Sequence, residues 1–168
     1  VLDPGSGPSL PHSAALSASA TERAAWQAFR AGDLDSAEEL FTGLIESRPQ
    51  DFDGFYGLGR IALARGDQEL AVTHLSKAAE LHGKSADCWA YLGTAQLQLE
   101  RNEAAHASLK RALGLKPKHG QALVTMAEYA AHVEVDYATA LEHLESAKAS
   151  GFTAIPPELE PALRQNLN

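Results

Sequence analysis

The chain has 168 residues, the length of one ordinary domain, and 45% of them are hydrophobic. Its 22 acidic and 14 basic residues give a formal net charge of −8, which argues against nucleic acid as a partner because phosphate binding needs a basic face. A single cysteine excludes a disulfide within the chain, and no apolar run approaches the roughly 20 residues that cross a bilayer.

The first segment, residues 1–17, is rich in Pro, Gly, Ser and Ala, and Asp3 is its one charged residue. This composition predicts a disordered linker or a cloning remnant, because it offers little apolar surface to bury. A second hypothesis is a segment that folds back into the protein's own groove. The chain starts with Val1 rather than Met, which predicts a piece of a longer protein.

Helix-period apolar patterns, caps and glycine stops predict nine helices along the rest of the chain. Ser19-x-x-Glu22 predicts a capping box at the first helix. The Gly-Asp pairs at 32–33 and 66–67 predict the end of one helix and the cap of the next, and Asn102 is the expected cap in the third such place. The predicted helices are 19–31, 34–47, 52–65, 68–82, 86–99, 102–115, 119–132, 137–149 and 158–167.

The helix pairs repeat with a period of 34 residues. Equivalent residues one period apart are Phe55 and Trp89, Leu58 and Leu92, Gly59 and Gly93, Ala71 and Ala105, and Leu75 and Leu109. A fixed period of this length predicts stacked helical repeats. A glycine inside a helix costs about 1 kcal/mol relative to alanine, so Gly93 predicts a close approach to the helix that carries Ala105 and Leu109.

These residues resemble the tetratricopeptide repeat (TPR), whose signature is Trp-x2-Leu-Gly-x2-Tyr, Ala-x3-Phe and Pro. Two departures are Gln96, where Tyr is usual, and Gly83, where Pro is usual. The resemblance implies an all-α, right-handed superhelix of about four helix-turn-helix repeats. The second half of the fourth copy arrives one residue late, which predicts an insertion in its loop near Glu134. The implied repeats are 18–51, 52–85, 86–119 and 120–152.

Beyond the repeats, Pro156-Pro157 predicts a break in the helical pattern. Three leucines then fall on one face of a short helix: Leu159, Leu163 and Leu167. Such a helix, predicted at 157–167, would cap the apolar stripe of the last repeat. The predicted TPR domain therefore extends over 18–168, with a true C-terminus near Asn168.

Motifs for catalysis or phosphate binding are missing from the sequence. The densest group of potential metal ligands, His132-x-Glu134-x-Asp136, is interpreted as a solvated loop because a structural metal needs about four convergent ligands. Cys88 is expected to be a half-buried structural residue, since no basic neighbour would activate its thiol. The sequence therefore predicts no enzyme activity, no cofactor and no metal.

The resemblance implies that the first helix of each repeat lines a concave groove. Residues at the matching positions predict a peptide-binding surface: Trp26, Tyr56, Arg60, Leu63, Tyr91, Thr94, Leu97, Gln98, Val124 and Glu128. For Trp26 a place in the core is an equal alternative. Chaperone-binding TPR domains hold a C-terminal carboxylate with Lys, Asn, Asn, Lys and Arg. Such a clamp is not expected here, because the matching positions hold Glu22, Trp26, Gly57, Asp87 and Tyr91.

These features predict a non-enzymatic module that binds a peptide or an amphipathic helix of a partner protein in the groove. Two alternatives stay open: a structural or self-assembly spacer of a larger protein, and an accessory domain of an enzyme whose catalytic part lies upstream of Val1. Nucleic acid and membrane insertion are not expected, and self-association is open. The domain is expected to be soluble, in the cytoplasm or the periplasm, and the sequence does not indicate the partner's identity.

Overall fold

The structure, a computed structural model, describes residues 13–167, and these residues form α-helices, one π-helical turn and no β-strand. The all-α prediction is confirmed. The elements are α1 Ser13–Ala31, α2 Leu34–Ser47, α3 Phe52–Arg65, α4 Gln68–Leu81, α5 Ala86–Gln98, α6 Asn102–Leu115, α7 Gly120–Tyr129, the π turn Ala130–Glu134, α8 Tyr137–Ala149 and α9 Leu159–Gln165.

The start of α1 differs most from the prediction. The helix begins at Ser13, so the last residues of the predicted linker are helical, and residues 1–12 lie outside the described part of the chain. Ser19 is therefore inside the helix, and the predicted capping box with Glu22 is wrong. A capping serine needs non-helical backbone angles, whereas the alanine-rich residues before Ser19 favour continuation of the helix.

The turns between paired helices share one hydrogen-bond pattern. The backbone N–H groups of Asp33, Asp67 and Arg101, one period apart, donate to the carbonyl five residues earlier at 3.0, 2.9 and 2.9 Å. The Asp33 and Asp67 side chains also cap α2 and α4, whereas Arg101 makes no side-chain cap. The predicted Asn102 cap is wrong because the 34-residue register places Arg101 at the capping position.

Stacking of the pairs gives the molecule an inner and an outer side. Helix α1 contacts α3, α3 contacts α5, and α5 contacts α7. The second helices α2, α4 and α6, all within the described part of the chain, make no comparable contact with one another. The first helices therefore lie along the inner side, which we call the groove, and the second helices form the outer face.

Glycines allow the two helices of a pair to approach closely. A Cβ atom added to Gly93 would lie 2.7 Å from Cγ of Leu109 and 3.3 Å from the carbonyl oxygen of Ala105. One period earlier, a Cβ at Gly59 would lie 2.6 Å from Cγ of Leu75. Both distances are far below an ordinary carbon–carbon contact. The close approach predicted at Gly93 is therefore present, and the same contact recurs in the preceding pair.

The extra residue of the fourth repeat lies in a helix rather than in a loop. The N–H of Asp136 donates at 2.9 Å to the carbonyl of Ala130, six residues earlier, where Asp67 reaches five residues back. The π turn Ala130–Glu134 accommodates this residue, because its hydrogen bonds span one residue more than those of an α-helix. Val135 follows with a φ of 56°.

Helix α9 packs against α8. Leu159 and Leu163 are buried in the apolar cluster of the last pair, and Lys148 on α8 forms an ion pair with Glu160. Leu167 is 50% exposed, so its predicted place in the apolar face of α9 is wrong. The helix ends before this residue, and its side chain no longer follows the apolar face.

We expect Gly93→Leu to lower the free energy of unfolding by about 1–3 kcal/mol, because the added side chain overlaps Leu109. Gly43→Leu is the matched control, since Gly43 is also helical and a Cβ there meets no atom within 4 Å. The control should be neutral or more stable by up to about 1 kcal/mol, because leucine favours helix over glycine. Urea denaturation of both variants measures the difference. Equal stability of the two would contradict the close contact at Gly93.

Leu163→Ala should lower the free energy of unfolding by about 2–5 kcal/mol, because its side chain is 2% exposed and its removal leaves a cavity. Leu167→Ala should change it by less than about 0.5 kcal/mol, because that side chain is exposed. Thermal unfolding followed by circular dichroism compares the two. A loss at Leu167 as large as that at Leu163 would contradict the packing of α9.

Candidate partner-binding groove

Three aromatic side chains from successive first helices meet in the groove, and we call them the aromatic row: Trp26, Tyr56 and Tyr91. The ring centroids of Trp26 and Tyr56 are 5.5 Å apart, and those of Tyr56 and Tyr91 are 6.3 Å apart. Trp26 also meets the buried Phe41 ring edge-on at 4.8 Å. Trp26 is half-buried and links the core to the groove, so it belongs to both of the environments that the sequence left open for it.

Arg60 lies among these rings. Its guanidinium carbon is 3.8 Å from the Tyr91 ring centroid and 5.2 Å from that of Phe29, and Nη1 donates a hydrogen bond to the Tyr56 hydroxyl at 3.2 Å. Among the described residues, no carboxylate is within ion-pair distance of Arg60. Burial raises the pKa of Tyr56, and the charge of Arg60 opposes that rise. The rings hold Arg60 as a cation whose remaining N–H groups are available.

A pocket of about 260 Å³ brings together half of the residues predicted for the groove. The predicted residues that line it are Arg60, Leu63, Tyr91, Thr94 and Gln98. Phe29 also lines it and was not among the predicted site residues. Its signal was present in the sequence, because Phe29 lies one period before Leu63, just as Leu63 lies one period before Leu97.

A second pocket, of about 460 Å³, lies where α5 faces α7 and the π turn. The predicted residues Leu97, Gln98 and Glu128 line it, together with His132 and Val133 of the π turn. Burial raises the pKa of Glu128, and the neighbouring His132 reduces that rise. The widened turn thus places two side chains beside Leu97 that a regular loop would have placed differently.

Val124 is not part of the groove surface. Its side chain is 2% exposed, and Thr125 beside it is fully buried. Helix α7 contacts α5, α6 and α8, and Ala90, one period before Val124, is likewise fully buried. Thr94 reaches this helix through a 2.9 Å hydrogen bond between its hydroxyl and that of Thr125. The prediction of Val124 as a binding residue is therefore wrong.

The positions that would form a carboxylate clamp have other roles. Asp87 Oδ1 lies 2.9 Å from Nε2 of His119, and this hydrogen bond lowers the pKa of Asp87. The Nδ1 atom of His119 accepts from the backbone N–H of Ala122 and thereby caps α7. Gly57 leaves space for the Phe41 ring, which would lie 2.4 Å from an added Cβ. These side chains supply no basic group for a terminal carboxylate.

Two carboxyl groups near Trp26 give the first-repeat end of the groove an acidic character. Burial raises the pKa of Asp53, the charge of Asp51 adds to this rise, and a hydrogen bond from Trp26 opposes it. Burial also raises the pKa of Glu22, and the charge of Asp53 adds to it. Negative charge on these groups is therefore poorly compensated, and a cation of a partner would stabilise it.

The other residues considered for chemistry have local structural contacts. His132 Nδ1 lies 2.9 Å from the Glu128 carbonyl oxygen, and Asp136 accepts from the N–H of Thr139 to cap α8. Cys88 is fully buried rather than half-buried, and burial raises the pKa of its thiol to about 12. Over residues 13–167, no three His, Cys, Asp or Glu side chains converge as metal ligands would. Within this same range, no helix has the length and apolar character that crossing a bilayer takes.

The family model described as tetratricopeptide repeat matches residues 22–86 and 92–153, which is well over half of the chain. The chain therefore belongs to the tetratricopeptide repeat family. Its structure is also similar to TTC0263, a TPR protein of Thermus thermophilus, with a TM-score of 0.70 and 20% identity over 89% of this chain and 81% of that one. The predicted superhelix of helical pairs is confirmed.

Two further matches are to parts of much longer proteins. Over 95 residues the chain is 34% identical to the Homo sapiens protein O-mannosyl-transferase TMTC3, a match that takes in 56% of this chain and 10% of that protein. The fold also matches Thermobaculum terrenum O-GlcNAc transferase, with a TM-score of 0.72 and 22% identity over 82% of this chain and 27% of that one. The chain thus spans a small part of either transferase.

Glu128→Gln should raise the melting temperature at neutral pH. Because the folded state raises the pKa of Glu128 above its ordinary value of 4.5, folding takes up a proton between these two values, and the group's contribution to stability falls as pH rises through them. Glutamine removes the cost of a buried charge, so its advantage should shrink as pH falls toward 4.5. Thermal unfolding over a pH series measures this.

Glu103→Gln is the control for that experiment, because it removes the same charge from an exposed position on α6. If the two variants shift the melting temperature equally at every pH, the effect comes from net charge and not from burial at Glu128.

Proposed function

We propose that this TPR chain is a non-enzymatic module whose groove binds an amphipathic segment, helical or extended, of a partner protein. The observation that carries the proposal is the aromatic row with Arg60 held against it. Binding hot spots are enriched in tryptophan, tyrosine and arginine, the residue types that meet here. Mutual ring contacts hold these groups in place, so a partner need not order them on binding.

The groove favours a partner of particular chemistry. Leu63 and Leu97 offer apolar contact one period apart, which suits a segment with apolar residues on one side. Arg60 can donate to a backbone carbonyl or a carboxylate near the centre. Glu128 at one end and the acidic groups near Trp26 at the other favour basic residues in the partner, because its cations would compensate charges that the free protein leaves buried.

Enzymatic activity of the chain itself is disfavoured by the state of its reactive groups. Cys88 is buried with a raised thiol pKa, which suppresses the nucleophilic thiolate. His119, the one buried histidine among the described residues, caps α7 and binds Asp87. The similarity to segments of TMTC3 and of an O-GlcNAc transferase favours a second candidate, a partner-binding accessory domain attached to an enzyme.

Peptides selected from a phage-displayed library on the purified protein test the groove. We expect Tyr56→Ala combined with Tyr91→Ala to weaken binding of a selected peptide at least tenfold, or about 1.4 kcal/mol. Fluorescence polarisation measures the dissociation constant, and circular dichroism checks that the helical signal is retained. Tyr137→Ala, which removes a half-buried tyrosine from α8 outside the groove, is the control and should bind normally.

A selected peptide should also bind equally well with a free or an amidated C-terminus, because the clamp positions are not basic. Loss of binding on amidation would contradict the proposed mode. Normal binding by the double variant, with disruption by substitutions on the outer face at Glu38, Glu69 or Glu103, would place the partner on the second helices instead.

A further inference from the structure

We propose that the outer face carries a second binding site, for an acidic segment of a partner protein that bears an apolar side chain. The site is an open pocket of about 710 Å³ between Trp89 and the second half of α6, and we call it the outer pocket. It lies on a second helix and therefore on the opposite side from the groove. Residues of α6 that line it include Ala107, Lys110, Arg111, Gly114 and Leu115.

The shape of the outer pocket follows from the spacing of small residues on α6. Ala107 and Gly114 lie seven residues apart on one helical face, with Lys110 and Arg111 between them. An added Cβ at Gly114 would meet no atom within 4 Å. This glycine therefore satisfies no packing requirement of the fold, unlike Gly93, and its missing side chain leaves the space open to a ligand.

Apolar surface forms the wall of the pocket. The Trp89 indole N–H donates to the Gly83 carbonyl at 2.9 Å, which fixes the orientation of the ring. Arg111 lies over this ring, with its guanidinium carbon 5.1 Å from the centroid. Leu115 is 42% exposed and lines the same pocket. An apolar side chain of a ligand would contact the indole and this leucine together.

The charge around the pocket is opposite to that of the whole molecule. The two charged residues that line the pocket, Lys110 and Arg111, are both basic, whereas the whole chain has a net charge of −8. Among the described residues, Lys110 and Arg111 form no ion pair with a carboxylate, although other basic residues, such as Arg65, Arg101 and Lys148, do. Positive charge that the fold leaves unpaired attracts an acidic ligand.

A peptide fits this site better than an anionic membrane surface does. A bilayer is flat and extended, so it would also face the acidic remainder of a molecule whose net charge is −8. Charges in solution interact over about 8 Å, the screening length at physiological ionic strength. The charges of a short bound segment therefore interact mainly with the local positive charge. An apolar side chain of a peptide can also enter the open pocket beside Trp89.

A fluorescein-labelled peptide that alternates glutamate with leucine, acetylated and amidated at its ends, is the probe, and fluorescence polarisation is the measurement. Two comparison peptides replace either every glutamate with lysine or every leucine with serine. We expect the first peptide to bind at least about tenfold more tightly than either. Equal binding by the serine peptide would overturn the apolar part of the site, and equal binding by the lysine peptide its acidic specificity.

Gly114→Leu should weaken binding of the glutamate–leucine peptide about tenfold or more, because the new side chain extends into the outer pocket and its Cβ meets no protein atom within 4 Å. Gly43→Leu is the matched control and should bind normally, since Gly43 is also helical and open but lines an acidic depression on α2. Equal binding by the wild type and Gly114→Leu overturns the proposal.

Lys110→Glu combined with Arg111→Glu should have a comparable effect, while Arg23→Glu combined with Arg30→Glu makes the same change in net charge on exposed residues of α1. An equal loss of affinity in both double variants would show that overall charge attracts the peptide, and it would overturn the proposed site. The double variant at Tyr56 and Tyr91 should bind this peptide normally, which separates the outer pocket from the groove. Vesicles of phosphatidylserine that bind through Lys110 and Arg111, without peptide binding, would also overturn it.

Discussion

The close contact between the two helices of a pair is the constraint on which the rest of the structure depends. Gly59 and Gly93 leave no room for a Cβ because Leu75 and Leu109 occupy that space. These contacts recur after one 34-residue period, so successive pairs have the same internal geometry and stack with a constant step. That step brings the first helices into contact along the groove, and side chains near equivalent positions then meet from one repeat to the next. The aromatic row forms where these helices meet, although Trp26, Tyr56 and Tyr91 do not occupy identical positions of the 34-residue period.

How far the site could be predicted from the sequence follows from the same register. Arg60, Leu63 and Tyr91 lie in repeats that have a full pair on each side, so their matching positions indicate their surroundings, and they do line one pocket. Val124 occupies the position equivalent to Tyr56, yet it is buried, as is Ala90 at the same position of the intervening repeat. Burial by neighbouring helices is a long-range property that no local pattern contains. The capping prediction at Ser19 is wrong for the converse reason: the capping motif is purely local, and the helix has already begun at Ser13.

The π turn shows how an insertion can change a binding surface without disturbing the core. The late second half of the fourth repeat was visible as a one-residue delay, but the period alone could not say whether a loop or a helix would accommodate it. The helix does, and α8 still starts from a capped Asp136 with Ala140 and Leu144 fully buried. The backbone strain falls on exposed Val135, a β-branched residue with a φ of 56°. The widened turn also lines the pocket that contains Glu128.

Net charge alone describes this molecule poorly, because its two sides differ in how charge is compensated. In the groove, Arg60 is held by aromatic rings while burial raises the pKa of Asp53 and Glu128. At the outer pocket, Lys110 and Arg111 stand beside an indole on a molecule that is acidic overall. Ion pairs between repeats, such as Arg101 with Glu69, neutralise charge elsewhere on the outer face.

A repeat fold needs only its small and large apolar residues to stack, so the remaining positions of each helix can differ from repeat to repeat. Charged and aromatic groups at those free positions can therefore give the inner and outer sides different ligands without a change in the fold.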